Sequence, residues 1–131
     1  MTSKYGNSIY LSDSDKIIRK KIEEAITDPA RKTLKDKGHP DICTIFKFHQ
    51  IYNQKNVKDV EVRCKKARIG CRECKKNLAN ILIDTLSDLR KKRKELLQNA
   101  KIINKTLEAG RKKASKIAKQ TLEEVKRVVG I

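Results

Sequence analysis

Apolar residues recur every three or four positions along most of this chain, and no stretch alternates with the two-residue period of a strand. The first amphipathic segment follows Ser12 or Ser14, either of which can cap a helix, and Thr27-Asp28-Pro29 ends it. Its apolar positions are Ile18, Ile22, Ala25 and Ile26. The pattern therefore predicts a first helix with one buried face.

Two shorter helices are predicted after a charged connector at residues 29–39. Pro40 suits the first turn of one of them, which places Cys43 near its buried edge. Asn56 can cap the other, which runs to Cys64 and then to a turn at Gly70, where we expect a positive-φ or closely packed backbone. The apolar positions of this pair are Ile42, Ile45, Phe46, Tyr52, Val57 and Val60.

From Arg72 the helical period continues almost to the end of the chain, with expected breaks at Ser87-Asp88 and at Gly110. Small residues at Ala114 and Ala118 predict a close helix–helix approach, and Gly130 ends the last helix. The expected fold is all-α, a bundle of five to six helices over residues 13–131. A short non-helical stretch, residues 1–12, precedes it.

All four cysteines of the chain, Cys43, Cys64, Cys71 and Cys74, follow the spacing C-x20-C-x6-C-x2-C. Two cysteines three residues apart at the start of a helix can direct both sulfurs to one metal centre. The alternatives are buried small side chains or two disulfides. A set of four with a C-x-x-C pair favours metal ligands.

The identity of the metal is left open by the ligand type, because four thiolates suit tetrahedral zinc and a 4Fe–4S cluster equally. Zinc ribbons usually carry two close pairs, whereas three of these cysteines lie within eleven residues and the fourth is distant. This arrangement favours the cluster over zinc.

The net charge indicates a second candidate function. The chain has 33 Lys and Arg and 16 Asp and Glu residues, which gives a net charge of +17. Such an excess is typical of proteins that bind a polyanion, and we expect nucleic acid rather than a merely solvated surface. Basic residues cluster beside the cysteines, at Lys75-Lys76, along residues 90–94 and at residues 111–113. The predicted phosphate-binding residues are Lys65, Lys66, Arg68, Arg72, Lys75, Arg90, Lys91, Arg93 and Lys94.

The sequence shows few features of a membrane protein, a secreted protein or a complete enzyme. No apolar run approaches the length of a membrane span, the N-terminus lacks the apolar core of a signal peptide, and a cytoplasmic location with reduced thiols is expected. His49 is expected to pack in a helix or lie at the surface, and His39 to lie in a turn. No complete set of catalytic residues is present.

At this point the chain resembles the C-terminal part of bacterial tryptophanyl-tRNA synthetases, which are class I aminoacyl-tRNA synthetases. The order and spacing of several short segments carry the resemblance. They are residues 3–7 with Ile9 and Leu11, residues 27–31, residues 38–40 with Cys43 and Phe46, residues 70–71 and 74–75, and Gly110, Ala114, Ala118, Thr121, Leu122, Val125 and Gly130.

The resemblance implies roles for particular residues. Residues 1–12 would be a remnant of the catalytic domain's Lys-Met-Ser-Lys-Ser loop, with Lys4 as the second signature lysine that contacts ATP phosphate, although the register is shifted by one. Residues 13–131 would be the helical domain that docks on the anticodon arm of tRNA. A subset of the family carries a 4Fe–4S cluster on a similar cysteine pattern, which would assign Cys43, Cys64, Cys71 and Cys74 to it.

The resemblance also implies a partner, because the nucleotide-binding Rossmann half that binds ATP and tryptophan has no counterpart in these residues. We therefore expect the chain alone to be inactive in aminoacylation, and to support charging of tryptophan tRNA when joined to that half. A homodimer is compatible with the assembled enzyme. The alternative function is a stand-alone nucleic-acid-binding module with a structural metal.

Overall fold

The computed structural model describes residues 3–130, in which every regular element is a helix and no strand occurs. This confirms the expected all-α class. The α-helices are α1 (Asp15–Glu24), α2 (Thr44–Tyr52), α3 (Val57–Lys65), α4 (Cys71–Gln98) and α5 (Ala100–Val129). Two short 3-10 helices, Ser3–Tyr5 and Pro40–Ile42, precede α1 and α2. The number of α-helices, five, agrees with the prediction.

Helix α1 begins as predicted, because the Ser14 hydroxyl accepts a hydrogen bond from the backbone N–H of Ile17 at 3.4 Å. Ile18 and Ile22 are fully buried and hold the helix against the core. The helix ends at Glu24, three residues before the predicted stop. Ile26 is consequently outside the helix and 77% exposed, so its assignment to the core was wrong.

Helix α2 is preceded by the 3-10 turn at Pro40–Ile42, and this turn changes which residues face inward. Ile45 and Phe46 are buried as predicted. Ile42 and Tyr52 are exposed, which corrects their predicted inward positions. Cys43 lies between the turn and the helix rather than on the helix, at the N-cap position.

The turn between α3 and α4 closes with two hydrogen bonds, from the N–H of Ala67 to Cys64 O and from the N–H of Arg68 to Arg63 O. This pattern is a Schellman motif, and Ala67 occupies its left-handed position with φ of 53°. Gly70 has no positive φ, so that part of the prediction was wrong. The close approach is real, because a Cβ on Gly70 would lie 2.9 Å from Cδ2 of Leu34.

Helix α4 runs without interruption from Cys71 to Gln98, and the predicted break at Ser87-Asp88 does not occur. A run of buried apolar residues anchors its first half, and Asn99 separates it from α5. The core that joins α4 to α1, α2 and α3 is formed by Ile18, Ile22, Cys43, Ile45, Phe46, Val60, Leu78, Ala79, Leu82 and Ile83.

Helix α5 also continues through its predicted break at Gly110 and ends at Gly130, which has the left-handed φ of 80° expected of a helix-ending glycine. None of its residues is buried. The predicted close approach at Ala114 and Ala118 is therefore absent from the part of the chain that the structure describes.

The chain divides into two compact units, Met1–Arg90 and Lys91–Ile131. In the first unit, Lys21 fastens the segment before α1 to that helix, because its Nζ lies 2.7 Å from the buried Asp13 carboxylate and 2.7 Å from Ser8 O. None of the helices in the described residues combines the length and apolar composition that a bilayer crossing requires.

Candidate metal centre and nucleic-acid interface

The four cysteines line one small pocket, although they come from separate parts of the chain. Cys43 stands before α2, Cys64 lies in the last turn of α3, and Cys71 and Cys74 lie in the first turn of α4. All four are free thiols, so the disulfide alternative does not apply. The structure thus brings together the residues that the spacing singled out.

Close packing of the backbone fixes the position of Cys64 in this pocket. The N–H of Gly38 donates to Cys64 O at 3.1 Å, and a Cβ on Gly38 would collide with Cys64 Sγ. A glycine is therefore required there to let the connector pass over the sulfur.

Arg31 places a positive charge beside two of the sulfurs. Its Nη1 lies 3.8 Å from Cys64 Sγ and 3.9 Å from Cys71 Sγ, and its Nη2 donates to Ile69 O at 2.7 Å. A guanidinium in this position stabilises thiolate charge. Sequence reasoning missed this role, and the available signal was the position of Arg31 within the matching segment 27–31.

Asp28 holds the connector that carries Arg31 and Gly38. Its buried carboxylate accepts hydrogen bonds from the N–H of Ala30 at 2.9 Å and the N–H of His39 at 2.8 Å, and it contacts His39 Nδ1 at 2.9 Å. Burial alone would raise the pKa of Asp28, but the hydrogen bonds from His39 and Ala30 outweigh it and lower that pKa. The carboxylate is thus a charged anchor at neutral pH.

His49 touches the fourth cysteine from the interior. The imidazole is fully buried, and its Nε2 lies 3.4 Å from Cys74 Sγ and 3.3 Å from Cys74 O. Asn53 Nδ2 contacts the other nitrogen, Nδ1, at 3.1 Å. Because an amide NH₂ can only donate, Nδ1 is the acceptor and Nε2 carries the proton that points to Cys74. The packing role expected for His49 is confirmed.

The protonation of the thiols depends on their burial. Burial, together with the neighbouring thiols Cys43, Cys64 and Cys71, raises the pKa of Cys74 to about 12. Burial also raises the pKa of Cys64, against the opposing effect of Arg31. These two thiols are therefore protonated at neutral pH unless a cation replaces their protons, so metal binding would release protons.

The fit of a metal to this pocket is only partial. Four sulfurs around one apolar pocket provide enough donors for a closed tetrahedral site. Within residues 3–130, however, no three or more Cys, His, Asp or Glu side chains are already arranged to hold an ion. The cavity measures about 20 Å³, roughly the room of one water, so a larger group needs the sulfurs to move apart.

The predicted phosphate-binding residues beside the cysteines lie at the surface. Lys65 is exposed and pairs with Glu61 at 2.6 Å, whereas Lys66, Arg68 and Arg72 are exposed without an ion pair in the described residues. Lys75 is half-buried, and its Nζ donates to Glu23 O at 2.7 Å. The structure therefore surrounds the cysteine pocket with accessible positive charge.

The second predicted basic run lies farther along α4 and is not uniform. Arg90 belongs to the first unit, where its Nη2 pairs with Asp15 at 2.6 Å and donates to Ile83 O at 3.0 Å. Its Nη1 is buried without a hydrogen-bond partner. Lys91, Arg93 and Lys94 are exposed and belong to the second unit. Arg90 is thus held by contacts within the first unit, and the side chains of the other three are exposed.

Lys4, the predicted ATP-contacting lysine, is exposed within the 3-10 helix Ser3–Tyr5. The two residues before that helix, Met1 and Thr2, belong to the predicted signature-loop remnant but lie outside the described residues. The contact of Lys4 with ATP stays a prediction.

Comparison with known proteins identifies relatives along the whole chain. The family described as tRNA synthetases class I (W and Y) matches residues 1–87. The chain is 33% identical over 133 residues to the tryptophan–tRNA ligase of Aquifex aeolicus, and 32% identical over 133 residues to that of Thermotoga maritima. It spans only 34% and 40% of the lengths of these two relatives.

The fold has a counterpart among solved structures. The crystal structure of tryptophanyl-tRNA synthetase from Campylobacter jejuni superposes on the entire chain with a TM-score of 0.88 and 26% identity, and the chain covers 42% of that protein. A second structure of that enzyme, complexed with ADP and tryptophan, superposes with the same score. The likeness extends over the whole of this chain but less than half of either relative.

Proposed function

Because this chain belongs to the class I tRNA synthetases of the tryptophan and tyrosine family, we propose that it is the tRNA-binding part of a tryptophan–tRNA ligase, the part that docks on the anticodon arm. The observation that carries the proposal is similarity to tryptophan–tRNA ligases along the full chain. The strong positive charge and the exposed lysines and arginines near the cysteine pocket support an RNA partner.

The activity of the whole ligase would need a nucleotide-binding half, because the chain spans about a third to two-fifths of its relatives. In this proposal that half binds ATP and tryptophan, and the present chain holds the tRNA. No step of amino-acid activation is assigned to these residues beyond a phosphate contact for Lys4. A homodimer of the assembled enzyme remains a prediction.

The apolar face of α5 supports the existence of such a partner. At 100° per residue, most residues on one side of this helix are apolar or small, with Arg111 at the edge of that side. Four of its large apolar residues are exposed: Leu107 66%, Ile117 64%, Leu122 55% and Val125 51%. An apolar face of this length marks an interaction surface. We propose the nucleotide-binding half as its occupant, because that half accounts for the remaining length of the relatives.

The cysteine pocket, in the same proposal, holds a 4Fe–4S cluster on Cys43, Cys64, Cys71 and Cys74, with one zinc ion as the alternative. The three-plus-one spacing favours the cluster, whereas the small cavity of about 20 Å³ favours the single ion. Either group would join the start of α2, the end of α3 and the start of α4 through metal–sulfur bonds. Arg31 and the N–H of His49 would offset the negative charge of the thiolates.

Metal analysis of protein purified without air tests this part of the proposal. We expect a brown protein with broad visible absorption and about four irons per chain. One zinc and no colour would reject the cluster and retain the four-cysteine site. Cys71→Ser should lose the metal while the long helices keep their circular dichroism.

The RNA-binding proposal is tested with a labelled tryptophan tRNA. The logarithm of the binding constant should fall linearly with the logarithm of salt concentration, because Lys and Arg displace counterions from the phosphates. Replacing Lys91, Arg93 and Lys94 by Ala should weaken binding without lowering stability, since exposed positions rarely cost more than about 0.5 kcal/mol.

The matched control removes three cations from α5, at Lys101, Lys105 and Lys116, all of them exposed. An equal loss in both triple variants would mean that only net charge matters. Arg90 is left unchanged in both, because its substitution would leave Asp15 without its partner.

A further inference from the structure

We propose that the groove between α1 and the first turns of α4 is a binding site for backbone phosphates of the RNA. The inference rests on the proposed tRNA-binding function and deepens it, because it assigns a defined site and adds Arg19, which the basic runs did not indicate. The groove has a volume of about 610 Å³ and is lined by Arg19, Ile22, Glu23, Arg72, Lys75, Lys76 and Ala79.

Two helices contribute the cations of this groove. Arg19 projects from α1, and Arg72, Lys75 and Lys76 project from α4. The lining also includes apolar residues of the core, among them Ile22, 1% exposed, and Ala79, 2% exposed. Because both helices are packed against that core, the four cations are held on a rigid frame.

None of these four cations has an ion pair with a carboxylate in the described residues. Arg19 Nη1 instead donates to Asn80 Oδ1 at 2.8 Å, and Lys75 Nζ donates to the backbone O of Glu23 at 2.7 Å. On the neighbouring faces, by contrast, Lys20 pairs with Glu24 at 3.9 Å and Arg63 with Glu73 at 3.1 Å. The four groove cations therefore lack the carboxylate partners that Lys20 and Arg63 have.

The net charge of the groove favours an anion. Four cations and the single carboxylate of Glu23 give a charge of 4 − 1 = +3 at neutral pH. Their mutual repulsion is relieved when a phosphate enters, and the guanidinium forks of Arg19 and Arg72 match phosphate oxygens in geometry. A volume of about 610 Å³ is ample for a phosphate with its sugar.

The groove also adjoins the cysteine pocket. Arg72 and Lys75 directly follow Cys71 and Cys74 in the first turn of α4, a helix of 28 residues whose N-terminal end favours negative charge. A bound metal that holds Cys71 and Cys74 in place would therefore also hold Arg72 and Lys75 in place. This links the metal centre to the presentation of a phosphate-binding surface.

The test compares charge-removing pairs of equal size. The groove pair is the double variant Arg19→Gln and Lys76→Gln, which removes two cations that line the groove. The control pair is the double variant Lys47→Gln and Lys58→Gln, which removes two exposed cations that do not line it. Binding of labelled tryptophan tRNA is measured by anisotropy from low to moderate salt. The groove pair should lose about tenfold in affinity and reduce the salt slope by about one to two, while the control loses little.

A third variant gives a change in the opposite direction. Glu23→Gln removes the only carboxylate of the groove and should strengthen tRNA binding about twofold to threefold, which misfolding cannot produce. Equal behaviour of the groove pair and the control pair would overturn the site while leaving the tRNA-binding function intact. Absence of tRNA binding by the wild-type protein would overturn the proposed function and this site together.

A free phosphate compound is the alternative ligand of the groove, because it carries the same charged group as the RNA backbone. Pyrophosphate titrated into the free protein at constant ionic strength should bind no more tightly to the wild type than to the Arg19→Gln and Lys76→Gln variant. Tighter binding of pyrophosphate to the wild type, together with equal tRNA affinities of the two proteins, would instead assign the groove to a free polyphosphate and overturn the RNA assignment.

Discussion

The left-handed residue in the α3–α4 turn makes Ala67→Gly a stabilising substitution. Ala67 has φ of 53°, where an L-residue with a Cβ is strained by about 1–2 kcal/mol. Glycine removes that strain and keeps both backbone hydrogen bonds of the turn, from Ala67 to Cys64 O and from Arg68 to Arg63 O. The turn is the segment that connects Cys64 to Cys71.

The expected change in the free energy of unfolding is the difference between two opposing effects. Relief of strain contributes about 1–2 kcal/mol, and the greater freedom of glycine in the unfolded chain costs about 0.4–1 kcal/mol. The middle values of these two ranges give a net gain of about 0.8 kcal/mol. For a compact unit the size of Met1–Arg90, this corresponds to an increase of about 2–8 °C in Tm.

Urea unfolding of metal-free protein, with reductant and chelator present, measures this change without a contribution from metal binding. Ala30→Gly is the matched control, because Ala30 is exposed and has no positive φ. It should destabilise by about 0.4–1 kcal/mol through the unfolded chain alone. A loss of stability in both variants would show that Ala67 carries no strain.

Three further predictions test the core, the buried histidine and the last helix. Leu78→Ala should cost about 3–5 kcal/mol in urea unfolding, because Leu78 is fully buried; a cost under about 1 kcal/mol would contradict its place in the core. Burial lowers the pKa of His49 below its ordinary value of 6.5. The free energy of unfolding therefore includes the full contribution of the neutral imidazole above pH 6.5, and that contribution is lost as the pH falls below 6.5. Unfolding measured from pH 7.5 to 5.0 should show this loss, by at most about 1.4 kcal/mol per pH unit, and His49→Gln should reduce the slope; an unchanged slope would remove His49 as its source. The double variant Leu107→Glu and Val125→Glu on α5 should abolish co-elution with the nucleotide-binding half of a tryptophan–tRNA ligase. The control Lys105→Glu, on the polar face of the same helix, should co-elute as the unchanged protein does. Undiminished co-elution of the double variant would exclude the apolar face as the contact.

The helices were predictable where the apolar period was strong, and their ends were not. Ile18 and Ile22 were correctly assigned to the core, but Ile26 was assigned with them because periodicity cannot show that α1 ends at Glu24. Gly110 was expected to interrupt a helix, yet one glycine costs only about 1 kcal/mol relative to alanine and α5 continues through it.

The grouping of the four cysteines around one pocket was predictable from their spacing along the chain, whereas their role as metal ligands stays a prediction. The surroundings of this pocket were not predictable, because Arg31 meets Cys64 and Cys71 across 33 and 40 residues, and His49 meets Cys74 across 25. No local pattern encodes such contacts. The phosphate groove likewise depends on Arg19 lying beside a helix that begins more than fifty residues later.

Competition between two tRNAs tests the central claim most directly, namely that this helical chain recognises the tRNA of a tryptophan–tRNA ligase. Labelled tryptophan tRNA is bound at about 0.15 M salt, near physiological ionic strength, and displaced by unlabelled tryptophan tRNA or by a tRNA of equal length with another anticodon. We predict that the cognate tRNA competes about tenfold more effectively, a difference of about 1.4 kcal/mol. Equal competition by the two would contradict the claim and identify the chain as a nucleic-acid-binding module without tRNA selectivity.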